Sequence, residues 1–112
     1  MNYDKIDRLI AVHVMGWEIK AVDFKQDGSF YEAYFDEEGN RLGLVGAYEF
    51  NPSEYIQDAW IVLDKFTSFK IQDTFTGNIH ASLFNGEWHK AQSSTTPLAI
   101  CEAALKAKGI QI

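Results

Sequence analysis

A chain of 112 residues with 46% apolar and 23% charged side chains has material for one hydrophobic core and little room for a second. Its net charge of −6, with no cluster of Lys and Arg, argues against a nucleic-acid surface, because phosphate backbones are met by a basic stripe. The lone cysteine, Cys101, excludes an internal disulfide framework, and no apolar run approaches the roughly 20 residues that span a bilayer.

In chain order, Ile6, Leu9, Ile10 and His13 recur at helical spacing and predict a first helix over 3–15, capped by Asn2 or Asp4 and stopped at Gly16. Trp17, Ile19 and Ala21 alternate with Glu18, Lys20 and Val22 as in a strand. A pause at Gln26, Asp27 and Gly28 precedes an aromatic strand over 29–35. Asp36, Glu37, Glu38, Gly39 and Asn40 then mark a solvated tight turn, and a third strand is expected over 42–48. A second helix is predicted from 52 to about 66, with Asn51 as N-cap, Pro52 at the first position and Glu54 closing a capping box; Ile56, Ala59, Trp60 and Leu63 form its stripe.

Three more strands follow: one over 69–74, one carrying Ile79, Ala81 and Leu83, and one over 87–92. Asn85-Gly86 is a strong signal for a two-residue hairpin, which sets Leu83 opposite Trp88 and Ser82 opposite His89. The last helix carries Leu98, Cys101, Ala104 and Leu105, with Pro97 at its first position, Thr96 as N-cap and Gly109 as its stop. Apolar groups on both sides of the strands, such as Phe30, Tyr31, Tyr34 and Phe35, favour helices on both faces of an antiparallel sheet. The expected fold is one α+β domain over 1–112, a three-layer α/β/α sandwich with the order α-β-β-β-α-β-β-β-α.

Three segments carry a resemblance. They are Val14-Met15-Gly16-Trp17; Asn51-Pro52-Ser53 followed by Ala59-Trp60; and Ser94-Thr95-Thr96-Pro97-Leu98-Ala99-Ile100-Cys101 with Ala103-Ala104-Leu105. In order and spacing they resemble the phage ABA sandwich domain family, small proteins of phages and prophages. The resemblance spans nearly the whole chain. It implies a helix–sheet–helix sandwich and a phage or prophage origin, and it implies no activity and no catalytic residues.

The search for chemistry leaves few groups. No Gly-x-Ser-x-Gly elbow and no phosphate loop is present, and Cys101 lies on an apolar helical face as an inert thiol. His80, His89 and Glu87 are expected on one face of the last hairpin, but no second Cys or His cluster completes a metal site, so neither metal nor cofactor is expected. Ser93, Ser94, Thr95 and Thr96 precede a helix, where free N–H groups attract anions; plain capping is the competing reading. Trp17 and Trp60 are assigned to the core. Trp88, opposite Leu83, is read first as a core ring; alternatively Trp88 and His89, just ahead of the hydroxyl cluster, would set an aromatic ring beside it, and Arg41 either pairs with the acidic turn or contacts a ligand.

With no catalytic constellation, the expectation is a non-enzymatic phage protein of counter-defence type that sequesters a small nucleotide-type immune signal. The alternative is a protein–protein inhibitor of a host defence enzyme, or a structural accessory protein of the phage. No nucleic-acid or membrane partner is expected. The N-terminal residues lack a secretion signal's basic start and apolar run, so the cytoplasm, that of the host cell for a phage protein, is the expected compartment, and a homodimer the expected assembly.

Overall fold

The computed structural model describes residues 3–45, 50–74 and 76–111. Helix α1 (Tyr3–Leu9) widens into a π-helical turn over Ile10–Val14. There the Met15 N–H donates to the Ile10 carbonyl at 3.0 Å, five residues back. The wider turn rotates the chain, so Ile6, Ile10, Ala11 and Val14 are buried while His13, expected on the apolar stripe, faces solvent. Gly16 ends the helix at φ +77, and the Trp17 N–H closes it on the Ala11 carbonyl at 2.9 Å. Asp4 sits in the first turn and pairs with Arg8; the other expected cap, Asn2, lies outside the described residues.

Strands β1 (Glu18–Val22), β2 (Tyr31–Phe35) and β3 (Arg41–Leu44) form antiparallel sheet I, with Ile19 opposite Tyr34. The β2–β3 turn is solvated, as expected: the Asp36 carboxylate accepts the Glu38 and Asn40 N–H groups at 2.9 and 2.8 Å, which holds its pKa below the usual carboxylate range. Strand β2 starts two residues later than predicted. Phe30 instead lies in the preceding loop and stacks edge-on with exposed Phe24. Strand β3 ends at Leu44, and residues 46–48 of the predicted strand lie outside the described residues. Arg8 ties this sheet to α1 through Glu32 at 2.8 Å.

Helix α2 (Ile56–Leu63) starts four residues later than predicted. Residues 51–55 form a separate turn closed by the Glu54 and Tyr55 N–H groups on the Asn51 carbonyl, and Tyr55 is extended at φ −109, ψ 126. The capping box does not form, because the donors it would serve have other partners. The Asn51 N–H goes to Asp58 Oδ2 at 2.9 Å and the Glu54 N–H to the Asn51 carbonyl at 3.1 Å, while the neighbouring Ser53 N–H goes to buried Asp7 Oδ1 at 2.9 Å. Ala59, Val62 and Leu63 face the core, whereas Ile56 and Trp60, expected on the stripe, do not. Trp60 is 49% exposed and packs edge-on to Phe69.

Sheet II is antiparallel in the order β4 (Ser68–Asp73), β5 (Ile79–Phe84), β6 (Trp88–Ser93). Its last hairpin differs from expectation by one residue. Phe84 pairs with Trp88 and Leu83 with His89, around a three-residue loop of Asn85, Gly86 and Glu87. A type I′ turn needs positive φ at both central residues; Gly86 has φ +107, but Asp23 is the only non-glycine with positive φ among the described residues. With a side-chain period of two, this shift moves every β6 side chain to the opposite face.

Helix α3 (Thr96–Ala107) packs on β5 and β6 and against α1, the π turn and α2. Covered on several sides, it buries Leu98, Ala99, Ile100, Cys101, Ala103, Ala104 and Leu105. One hydrophobic cluster joins the three helices, the π turn and strand β2, with side chains of β1, β4, β5 and β6 in it or packed against it. The α+β sandwich and its element order are as expected, with the six strands divided between two antiparallel sheets.

Candidate functional site at the edge and outer face of sheet II

Alternation along β4, β5 and β6 sorts their side chains into two faces. Ile71, Ile79, Ala81, Leu83 and Ala91 share the face that packs on α3. On the other face the register sets three rows: Ser68, Phe84 and Trp88; Lys70, Ser82 and Lys90; Gln72, His80 and Gln92. None of these nine positions is acidic, on a chain whose net charge is −6. Trp88 is 44% exposed, its ring 5.2 Å from Phe84, with Lys70 Nζ 5.6 Å from the ring centroid. His80 Nε2 meets Gln92 Oε1 at 2.9 Å.

The face continues around β6, which is an edge strand, into a groove of about 750 Å³ lined by Ile6, Lys90, Gln92, Glu102, Lys106 and Gln111, among others. Lys106 Nζ donates to the Lys90 carbonyl at 3.2 Å, so two ammonium-bearing residues meet at one point of the edge. That contact also shields part of an unpaired strand edge. Among the described residues Glu102 is the groove's one carboxyl side chain, and partial burial raises its pKa. The volume suits a small organic ligand, and the lining suits an anionic one.

The residues singled out from the sequence are only partly brought together. Trp88 lies on the outer face at the start of β6, opposite Phe84 and not Leu83. His89 lies on the α3 side, with Nε2 3.1 Å from Asn85 Oδ1. Ser93 ends β6, five strand steps or about 17 Å from Trp88, so indole and hydroxyl cluster occupy opposite ends of the strand. Thr95, not Thr96, is the N-cap: its Oγ1 accepts the Leu98 N–H at 3.4 Å, Thr96 is the first helical residue, and Ser94 is exposed beside them. Arg41 lies in sheet I and pairs with Asp23 at 2.9 Å instead of with the acidic turn. His80 and His89 fall on opposite faces and Glu87 in the loop, which dismantles the suggested ligand set. No group of three or more metal-ligating side chains exists among the described residues. Cys101 is fully buried, and burial pushes its thiol pKa well up, as an inert thiol requires.

Sequence reasoning missed Lys70 and Phe84 as neighbours of Trp88, because their grouping depends on the hairpin register, and overlooked Lys90, which shares the face of Trp88 two residues along the same strand. It also missed Asp7. This carboxyl is 4% exposed and has its pKa raised to about 6, by burial first, against the lowering effect of the Ser53 hydrogen bond. Asp7, Ile10, Ala11 and Val14 stand at i, i+3, i+4 and i+7, so the buried stripe was present in the sequence beside the one chosen.

Comparison with known proteins agrees with the fold. No curated protein sequence matches the chain. A phage protein from Bacillus cereus ATCC 14579, known from a 2.0 Å crystal structure, is similar with a TM-score of 0.72 and 26% identity, covering 100% of this chain and 92% of that one. No helix of the described residues is long and apolar enough to cross a membrane. The model of the phage ABA sandwich domain matches residues 8–105, and the chain belongs to that family.

Proposed function

We propose that this phage protein is a non-enzymatic, single-domain counter-defence binder that captures and sequesters a small nucleotide-type immune signal of the host. One observation carries the reading: a groove of about 750 Å³ beside Lys90 and Lys106 opens onto an acid-free face bearing exposed Trp88. Ammonium groups receive phosphate oxygens, the edge of β6 offers backbone partners, and an indole stacks on a nucleobase. The hydroxyls of Ser93, Ser94, Thr95 and Thr96 lie at the far end of the same strand, where a longer ligand or a second copy would reach them; His89 and Arg41 are secondary candidates. The reading includes a cytoplasmic location in the host and a homodimer. Calorimetric titration with linear and cyclic nucleotides tests it. Saturable binding that is lost in Lys90→Glu and Lys106→Glu is expected, and flat traces across the panel refute it.

A second reading, inhibition of a host defence protein, is favoured by the aromatic end of sheet I. There Phe24 is 74% exposed, beside exposed Phe30 and Tyr31. Stoichiometric recovery of one host protein from infected cells, lost in Phe24→Ser, would support it over the first.

A further inference from the structure

A second pocket, which shares no lining residue with the groove at β6, lies between sheet I and α2. It encloses about 130 Å³ and is lined by Trp17, Tyr34, Phe50, Leu42, Ile61 and Asp58, with Gly43 on its wall. Three rings make one side: Trp17 lies 4.6 Å from Phe50 and 5.7 Å from Tyr34, and Tyr34 lies 6.1 Å from Phe50, centroid to centroid. A cavity of about this size accepts one benzene-sized ring. Asp58 breaks the apolar lining with a carboxylate, one of whose oxygens takes the Asn51 N–H. Trp17 also borders a neighbouring cleft of about 280 Å³ whose charged residues are Asp36, Glu37, Glu38 and Lys65. Trp17 therefore borders two openings, each with carboxylates in its lining and with Lys65 as the one lysine among the described lining residues.

We propose that this pocket is a second ligand site, selective for a small planar ring that carries a cationic N–H donor, such as an aryl amidine or protonated aromatic amine. The rings supply a flat apolar surface and quadrupole attraction for the cation, while Asp58 accepts its N–H. An anionic ligand is disfavoured by the same carboxylates, so the site goes beyond the groove at β6 and does not depend on it.

Benzamidine and its neutral isostere benzamide are the probes, titrated into the full chain by calorimetry and by saturation-transfer NMR. Benzamidine is expected to bind saturably and at least tenfold more tightly than benzamide, and Asp58→Asn to abolish that difference. Ile61→Trp, at an exposed helix position on the pocket wall, is expected to block both compounds while leaving the circular dichroism unchanged. If Asp58→Asn fails to fold, Ile61→Trp decides. Equal affinity for the two probes, no saturation with either, or undiminished benzamidine binding in Ile61→Trp would overturn the proposal.

Discussion

Asp7→Asn should make this protein more stable at neutral pH, and the size of the gain follows from burial. The Asp7 carboxyl is 4% exposed and accepts the Ser53 N–H at 2.9 Å. Burial raises its pKa from 3.8 to about 6, and negative Glu54 and Asp4 add to the rise. A folded-state pKa above the unfolded one means that the folded chain holds more protons between those two values. Stability then falls as pH rises from about 4 to about 6, and the loss is complete above that window. At 1.36 kcal/mol per unit, the ionised carboxylate costs at most about 3 kcal/mol at pH 8. Asparagine keeps an oxygen for the Ser53 N–H and never ionises. The buried amide's extra N–H donors cost up to about 2 kcal/mol at every pH, so the variant should gain about 1–3 kcal/mol over the parent at pH 8 and be equal to it or up to about 2 kcal/mol less stable near pH 4. Urea denaturation of both proteins at half-unit steps from pH 4 to 8 measures the difference and cancels the background titration of the other carboxylates. A difference that stays constant across that range would refute the account.

Thr95→Ala should cost about 1 kcal/mol of stability and Thr96→Ala much less, since only Thr95 caps α3; thermal melts of the pair check the assignment. Leu83→Ala should cost about 2–5 kcal/mol, because Leu83 is fully buried, whereas Trp88→Ala should cost far less, as its ring is 44% exposed; the reverse ranking would restore the two-residue hairpin. Cys101 should resist a thiol reagent in the folded protein and react with one equivalent in denaturant, followed by absorbance. Gly16→Ala should cost about 1 kcal/mol by equilibrium denaturation, mostly from φ +77, since the added methyl meets only the movable end of Glu37.

Element identity was legible where a period ran long enough to be unambiguous. The stripe of α3, the alternation in β5 and the Asp36–Asn40 turn need only local geometry, and all are present. Boundaries failed where two local solutions compete. Proline lacks an N–H, which suits the second helical position as well as the first, so Pro97 alone could not choose between Thr95 and Thr96. Asn51 looked like a cap because its competitors, Asp58 and Asp7, are 7 and 46 residues from the backbone groups they take. The site suffered most from the hairpin. Asn85-Gly86 permits a two-residue loop, but the chain adds Glu87, and that one residue moved Trp88 out beside Lys70 and separated the histidines.

The charge distribution bears on which ligand the β6 groove can hold. A chain of net charge −6 repels anions at long range, yet at physiological ionic strength the Debye length is about 8 Å, and charges beyond it are largely screened. What an approaching phosphate meets is then local: Lys106 with its Nζ 3.2 Å from the Lys90 carbonyl, Lys90 and Lys70 on an acid-free face, and Glu102 as the one opposing carboxyl side chain among the described lining residues. Two or three positive groups match the phosphates of a small nucleotide. They do not match a polynucleotide, whose phosphates would run on past the groove into the carboxylates that dominate the rest of the surface. Lowering the salt should therefore strengthen local attraction and global repulsion together, and affinity for a small anion should change little with ionic strength. A nucleic-acid site would show the steep inverse dependence of counterion release.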